Sequence, residues 1–424
     1  MKVCFATYDQ PYMGGIASWL QRLLPLLQTV GIEVELHVMG LGRKPAINWL
    51  KQLSIPVRWM PLRLDMLSAV RSFLQFLEEG QPDIYVPVDN VPAFYAAGYA
   101  RRGGIPTVGP LMSDHPYTYA FVDEFVNGDR DFRLSAVVPC STFVESQVST
   151  TATALGVTVR RIACGVPIPA RTAELSGSVF RLVYIGRLAE EGKRISDLTN
   201  AFCTVIQSIP SLEAWIAGEG EARPAVKNII RKKGISAQVR FLGRVDSAYD
   251  VMTRCHSLVL LSDFEGLPIS MLEGMATGLV PICLDLRSGV REAIEHGVNG
   301  LIVKDRGADF LAAVSGLQSD PAKWQRLSLA ARETARKRYA IEESARQWLD
   351  LLEHLNRQGA APPADFQAPR VLRLPPHAES YIHIKPPWKS ALEKNLRHIP
   401  PLYRMAKTTA AIGRTIKSQA DGLI

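Results

Sequence analysis

Glu265 and Glu273 stand on either side of a turn, Glu265-Gly266-Leu267-Pro268-Ile269, that follows the apolar run Ser257-Leu258-Val259-Leu260-Leu261. The run reads as a buried parallel strand. Pro268 suits the first turn of a helix, where its missing N–H costs nothing, and Gly278 suits that helix's end. Backbone N–H groups near residues 266–270 would then face the carboxyl end of a strand, where open α/β sheets bind anions and nucleotides. Glu273 falls about a turn and a half into the helix, among Met271, Leu272, Met275 and Ala276. A carboxylate buried on so apolar a surface needs partners, and the two hydroxyls of a ribose would supply them. Glu265, at the helix mouth, could hold hydroxyls of a second sugar. Without the strand, the glycine and the proline, the same pair would read as a surface glutamate and one favoured by a helix dipole.

A second turn offers cations. Val183-Tyr184-Ile185 ends in Gly186-Arg187, and Lys193 follows. An arginine fork and a lysine point charge after a parallel strand can clamp a diphosphate; elsewhere such a pair is simply solvated. Gly218-Glu219-Gly220 marks another tight turn. In the first half, Gly14-Gly15 precede a helix and let a backbone approach a phosphate or sugar closely, or make no more than a flexible loop. Ser113-Asp114-His115 puts a carboxylate and an imidazole after the strand-like Thr107-Val108, although a lone histidine is more often structural. No Ser–His–Asp order, H-E-x-x-H or P-loop is present, so hydrolase, zinc-protease and ATPase readings lose support.

These groups need sheets to hold them. Apolar runs at 2–7, 33–39, 56–60, 83–87 and 136–139 alternate with helical patterns such as 16–27 and 65–77. That alternation implies a doubly wound parallel sheet. Pro167-Ile168-Pro169-Ala170 through Ser176-Gly177-Ser178 breaks it. It restarts with strands at 180–185, 212–217, 239–242, 257–261, 279–284 and 301–303, and closes with helices at 308–317, 321–339 and 341–356. The expected class is therefore α/β: two Rossmann-like, doubly wound parallel-sheet domains facing a cleft, spanning residues 1–170 and 177–340. A chain of 424 residues accommodates two such cores.

Composition excludes other classes. No apolar run is long enough to span a membrane as a helix, and the N-terminus reads as a first strand rather than a signal peptide. The six cysteines show no C-x-x-C spacing. They read as reduced core residues of a cytoplasmic protein, and no metal site is expected. The net charge is +8, but residues 361–424 hold ten Lys/Arg against four Asp/Glu. The body is therefore nearly neutral, which argues against a nucleic-acid partner.

Glu265-Gly266-Leu267-Pro268, Glu273 and Gly278-Leu279-Val280-Pro281 together resemble the nucleotide-binding signature of family 4 glycosyltransferases, which are retaining enzymes of the GT-B fold. Ser288-Gly289-Val290-Arg291-Glu292 and Gly297-Val298-Asn299-Gly300 continue the resemblance. Many members carry a glycine pair where Ser288-Gly289 stands. The resemblance covers residues 1–356 and is strongest from 182 to 303. It implies transfer of a sugar from a UDP- or GDP-linked donor to a hydroxyl acceptor, with no cofactor and no metal. Arg187 and Lys193 would stabilise the departing diphosphate, with Gly186, Gly266, Leu267, Pro268 and Ile269 lining the same site. Gly14 and Gly15 would close over the reacting sugar. His115 would contribute a hydrogen bond near that sugar, or Asp114 would in its place. The implied chemistry is same-face attack, the leaving diphosphate taking the acceptor's proton. The helix at 341–357 would cross back to the first domain. Two rivals stay open: a non-catalytic GT-B partner or regulatory subunit, and a GT-B epimerase or phosphorylase.

Beyond residue 358 lies a proline-rich linker and then a basic tail. Trp388, Leu392, Leu396 and Ile399 recur at helical spacing, as do Leu402, Met405, Thr409, Ile412 and Ile416, with seven Lys/Arg on the polar faces. Two short basic amphipathic helices over residues 385–417 suit an anionic membrane surface, and equally a protein face. The membrane reading would make the protein peripheral on the inner face of a membrane. It predicts salt-sensitive co-sedimentation of the full chain with anionic vesicles, lost on truncation at Gln358; equal binding by both forms discards it.

Overall fold

The computed structural model describes residues 1–9, 14–40, 54–63, 65–175, 177–358 and 365–381. The basic tail at 385–417, the loop residues Pro11, Tyr12 and Met13, and Ser176 of the expected break lie outside the described residues.

Short apolar runs form the strands, nearly all buried on both faces because helices cover each sheet. In the first lobe β1 (Lys2–Tyr8), β2 (Glu33–Gly40), β3 (Val57–Pro61) and β4 (Ile84–Pro87) pair in parallel in the order β3-β2-β1-β4. β5 (Val108–Leu111), β6 (Ala136–Pro139) and β7 (Thr158–Val159) continue it in parallel. A bridge between Tyr85 and Thr107 joins the two sets. In the second lobe β8 (Phe180–Ile185), β9 (Leu212–Ala217), β10 (Val239–Gly243), β11 (Ser257–Leu260), β12 (Val280–Leu284) and β13 (Leu301–Val303) take the order β10-β9-β8-β11-β12-β13.

Both sheets reverse their winding at one place, between β1 and β4 in the first and between β8 and β11 in the second. Connections leave opposite faces there, so a crevice opens at the carboxyl ends of those strands. Gly14 and Asp89 follow β1 and β4; Arg187 and Glu265 follow β8 and β11.

The helix Ile341–Gln358 ties the lobes together. Trp348 packs on Trp19 of the first-lobe helix Gly15–Thr29 with ring centroids 5.6 Å apart, and Ser344 Oγ donates to the Ala163 carbonyl at 2.8 Å. Just before this helix, Val166 N–H donates to Tyr339 O at 2.8 Å and Ile341 N–H to Val166 O at 3.1 Å. Both lobes belong to one compact unit, Met1–Leu62 with Val70–Val371. A smaller unit holds, among the described residues, the segment around Met66–Ala69 and residues 372–381. Within it the Glu379 carboxylate accepts from the Met66 N–H, at the start of the helix Met66–Gly80.

His256, ahead of β11, is buried between Phe180 and Trp324, and its Nδ1 accepts from the Arg181 N–H at 2.8 Å. Burial, followed by the Arg181 charge, pulls its pKa down to about 4. An unfolded chain binds a proton here near pH 6.5 while the folded one does not, so stability is lost as pH falls from about 6.5 toward 4. Urea unfolding at pH 7 and pH 5 should show the wild type losing about 2 kcal/mol more than His256→Asn. Equal losses would remove His256 as the sensor.

Candidate active site

The turn after β11 is built around a buried carboxylate. Glu265 is 7% exposed, and its Oε1 accepts from Lys193 Nζ at 2.6 Å and from Ser262 Oγ at 2.7 Å. Lys193 comes from the loop after β8, which the Asp263 N–H binds at Gly192 O, 2.8 Å away. Asp263 also pairs with Arg306 and Arg194. The residue after the carboxylate has to be glycine. A Cβ on Gly266 would lie 2.3 Å from Met112 O of the first lobe. Gly289 is equally constrained, since its N–H donates to Gly266 O at 2.6 Å and a Cβ there would lie 2.5 Å from the same oxygen. Ser288 caps the following turn by accepting from the Val290 N–H.

Pro268 is the N-cap of the helix Ile269–Ala276, and Gly278 takes φ +83° after its end. The helix's first N–H groups have no acceptor within it and carry its positive dipole end toward the crevice. The Leu267 backbone is hydrogen-bonded to the first lobe's Cys140, a buried thiol that burial pushes up to about 12. Gly15 stands opposite this helix start, since a Cβ on it would lie 3.7 Å from Ile269 Cδ1. Gly14 is the extended N-cap of its own helix.

The Gly218-Glu219-Gly220 turn braces the Arg187 loop. A Cβ on Gly218 would meet Gly186 O at 1.9 Å, one on Gly220 would meet Leu188 O at 2.1 Å, and Gly218 takes φ +139°. Only glycines let the turns after β8 and β9 nest this closely. Tyr184, buried beneath, donates its hydroxyl to Arg187 O at 2.8 Å. Arg187 itself stays exposed.

The first lobe faces this assembly with the segment 112–115. His115 caps the helix Pro116–Val122 by accepting the Tyr117 N–H at its Nδ1, 3.1 Å away. Its Nε2 lies 3.6 Å from Glu191 Oε1, and its ring meets Phe264 edge-on at 5.4 Å. Asp114 accepts from the Tyr119 hydroxyl at 2.5 Å, and burial raises its pKa. The chain therefore brings Glu265, Lys193, Arg187, His115 and the helix N-terminus to one crevice, with Asp114 held back on Tyr119.

Glu273 has a partner that the sequence reading did not supply. It is 5% exposed, and its Oε1 is bound by Arg22 of the first-lobe helix Gly15–Thr29. Burial raises its pKa, opposed by that arginine. Sequence reasoning passed over Arg22 because a charge among Trp19, Leu20, Leu23 and Leu24 looks like the solvent stripe of an amphipathic helix. It also passed over Asp89. That residue adopts φ +49° after β4, a backbone conformation uncommon outside glycine but open to aspartate. Burial raises its carboxyl to about 6, opposed by Arg187. The signal available for Asp89 was its place at the carboxyl end of a strand at a switch point. Among the described residues no group of three or more His, Cys, Asp or Glu could hold a metal ion, and no helix is long and apolar enough to cross a membrane.

The two-lobed α/β structure with paired switch points has the GT-B fold, and the relatives this chain resembles make it a glycosyltransferase. Residues 179–320 match the family model described as glycosyl transferases group 1. It is 24% identical over 355 residues to the lipopolysaccharide 1,6-galactosyltransferase of Salmonella typhimurium, covering 77% of this chain and 92% of that protein. It is 27% identical to the glycosyltransferase EpsD of Bacillus subtilis, covering 78% and 89%. Among solved structures, Anabaena HepE in complex with UDP and glucose superposes with a TM-score of 0.69 at 18% identity, over 83% of this chain and 99% of that one. Sucrose-phosphate synthase of Thermosynechococcus elongatus superposes at 0.68 and 16% identity, over 85% and 100%.

The pairing of Glu265 makes a direct energetic prediction. Lys193→Met leaves a buried carboxylate without its cation and should cost about 2–4 kcal/mol in urea unfolding. Arg187→Met, at an exposed position, should stay within about 0.5 kcal/mol. Equal effects would mean that Lys193 does not compensate Glu265.

Proposed function

We propose that the chain transfers a sugar, with retention of anomeric configuration, from a nucleoside diphosphate sugar to a hydroxyl of a glycan or lipid-linked acceptor, without a metal. The observation that carries this reading is the juxtaposition of Lys193, Arg187 and the N-terminus of the helix Ile269–Ala276 at the β8/β11 switch point. Three sources of positive potential there face a space bounded by His115 and Phe264. A diphosphate leaving group accumulates negative charge as the glycosidic bond breaks. Fixed donors at that point lower the barrier because they need no reorganisation.

In this scheme Arg187 and Lys193 hold the diphosphate and Glu265 fixes the lysine while meeting hydroxyls of the donor sugar. Gly186 and Gly266–Ile269 supply backbone at close range, and Glu273 takes the ribose. Gly14 and Gly15 bring the first lobe's backbone to the sugar. His115 donates a hydrogen bond to it, and the departing phosphate oxygen accepts the acceptor's proton as the new bond forms on the same face. UDP is the nucleotide we favour, supported by UDP in the HepE complex of the same fold. A glycan acceptor is supported by the lipopolysaccharide galactosyltransferase. Peripheral attachment through the basic tail would suit a lipid-linked acceptor.

The test is thermal unfolding with UDP, GDP and ADP. A ligand at about 100 times its Kd stabilises by about 2.7 kcal/mol, so UDP should raise the midpoint. No shift with any of the three would overturn the nucleotide reading; a shift with GDP alone would change the base. With a UDP-sugar that is turned over, Arg187→Ala should lower kcat about 100-fold or more while UDP affinity changes less, and an unchanged kcat would remove Arg187 from leaving-group stabilisation.

A further inference from the structure

Glu273 was assigned above by its burial, but a buried carboxylate binds a ribose only if it is ionised and correctly oriented. The helix Ile269–Ala276 carries no cationic side chain to serve as a counter-charge, and Met271, Leu272, Met275 and Ala276 around Glu273 in sequence are all buried. The counter-charge comes from the other lobe. Arg22 Nη2 donates to Glu273 Oε1, and the guanidinium lies 5.9 Å from the ring centroid of Tyr249, on the second lobe. Tyr249 is itself fixed by its hydroxyl, which donates to Pro167 O at 3.1 Å. Arg22 is thus held between a carboxylate and an aromatic face.

One end of this guanidinium is unspent. Arg22 Nη1 is buried and has no hydrogen-bond partner among the described residues. A buried donor without an acceptor is costly and rare in folded proteins. It is understandable where a ligand supplies the acceptor. A planar fork with one arm on a carboxylate presents its other arm beside that carboxylate, so an acceptor reaching Nη1 also lies close to Glu273. A vicinal diol fits this pairing: hydroxyls that donate to the carboxylate still carry lone pairs to accept from the guanidinium.

We propose that Arg22 is a positioning residue of the nucleotide site, contributed by the first lobe: one arm of its guanidinium fixes the Glu273 carboxylate for the ribose diol, and the other donates to the same sugar. The inference rests on the nucleoside diphosphate reading and deepens it, because it makes ribose recognition a property of both lobes. A ribose lacking one hydroxyl would leave part of the arrangement unpaired, so discrimination against the deoxy sugar should depend on Arg22.

The experiment is calorimetric titration of the full chain with UDP and with 2′-deoxy-UDP, for wild type, Arg22→Met, Arg22→Lys and Glu273→Ala. The readout is the ratio of the two Kd values within each protein, which cancels any difference in folded fraction. Wild type should prefer UDP by roughly tenfold or more, the loss expected for one hydrogen bond to a charged group. Arg22→Met should bring the ratio close to one, as should Glu273→Ala, with Arg22→Lys keeping part of the preference. A strut that only joins the lobes would lower the melting temperature of Arg22→Met and leave the ratio intact. That result, with the ratio lost in Glu273→Ala, would overturn the role of Arg22 while leaving the nucleotide reading standing. Failure of wild type to bind UDP, or to distinguish the two, would overturn both.

Discussion

A carboxylate taken out of water must find a cation or a set of donors, and three second-lobe glutamates of this chain illustrate what that demand builds. Glu265 finds Lys193 and Ser262 within its own lobe. Glu273 finds Arg22, and Glu292 finds the Thr142 N–H and hydroxyl together with Arg161, all in the first lobe. The first arrangement pins the loop after β8 to the loop after β11. The other two bind one lobe to the other. Desolvation makes each pairing obligatory rather than decorative, since removing one partner strands a buried charge.

Around these charges the backbone is fitted at contact distance. Gly186, Gly218, Gly220, Gly266 and Gly289 each occupy a point where a Cβ would strike a neighbouring backbone or side-chain atom. The crevice is therefore framed by turns that cannot move apart independently. Arg187 gains a fixed platform from Tyr184 and the glycine turn, and its own side chain stays exposed. A rigid base with an available guanidinium suits a group that must meet charge developing on a substrate.

Much of the fold was legible in the sequence because both sheets consist of parallel strands buried on both faces. Such strands appear as short continuous apolar runs, and those at 136–139, 180–185, 212–217 and 301–303 match the structure to the residue. Where the apolar run is too short the sequence was weaker. β7, two residues long, left no pattern, and β5 was visible only as Thr107-Val108. The helix Gly15–Thr29 runs through Pro25, as the helical pattern at 16–27 expected despite the local cost of an internal proline. Packing against Trp348 and the first sheet outweighs that local cost.

The sequence by itself determined the turn chemistry. Pro268 at a helix cap, Gly278 past its end and Glu265 beside Gly266 follow from backbone rules that act over a few residues, so they can be read without knowing what lies across the crevice. Only the tertiary structure decided which charges meet. Lys193 and Glu265 are 72 positions apart, and Arg22 and Glu273 are 251 apart. No local propensity or spacing encodes such pairs. They exist because two parallel sheets place their switch points face to face, and because a charge buried there has to be answered by whatever side chain the other element carries.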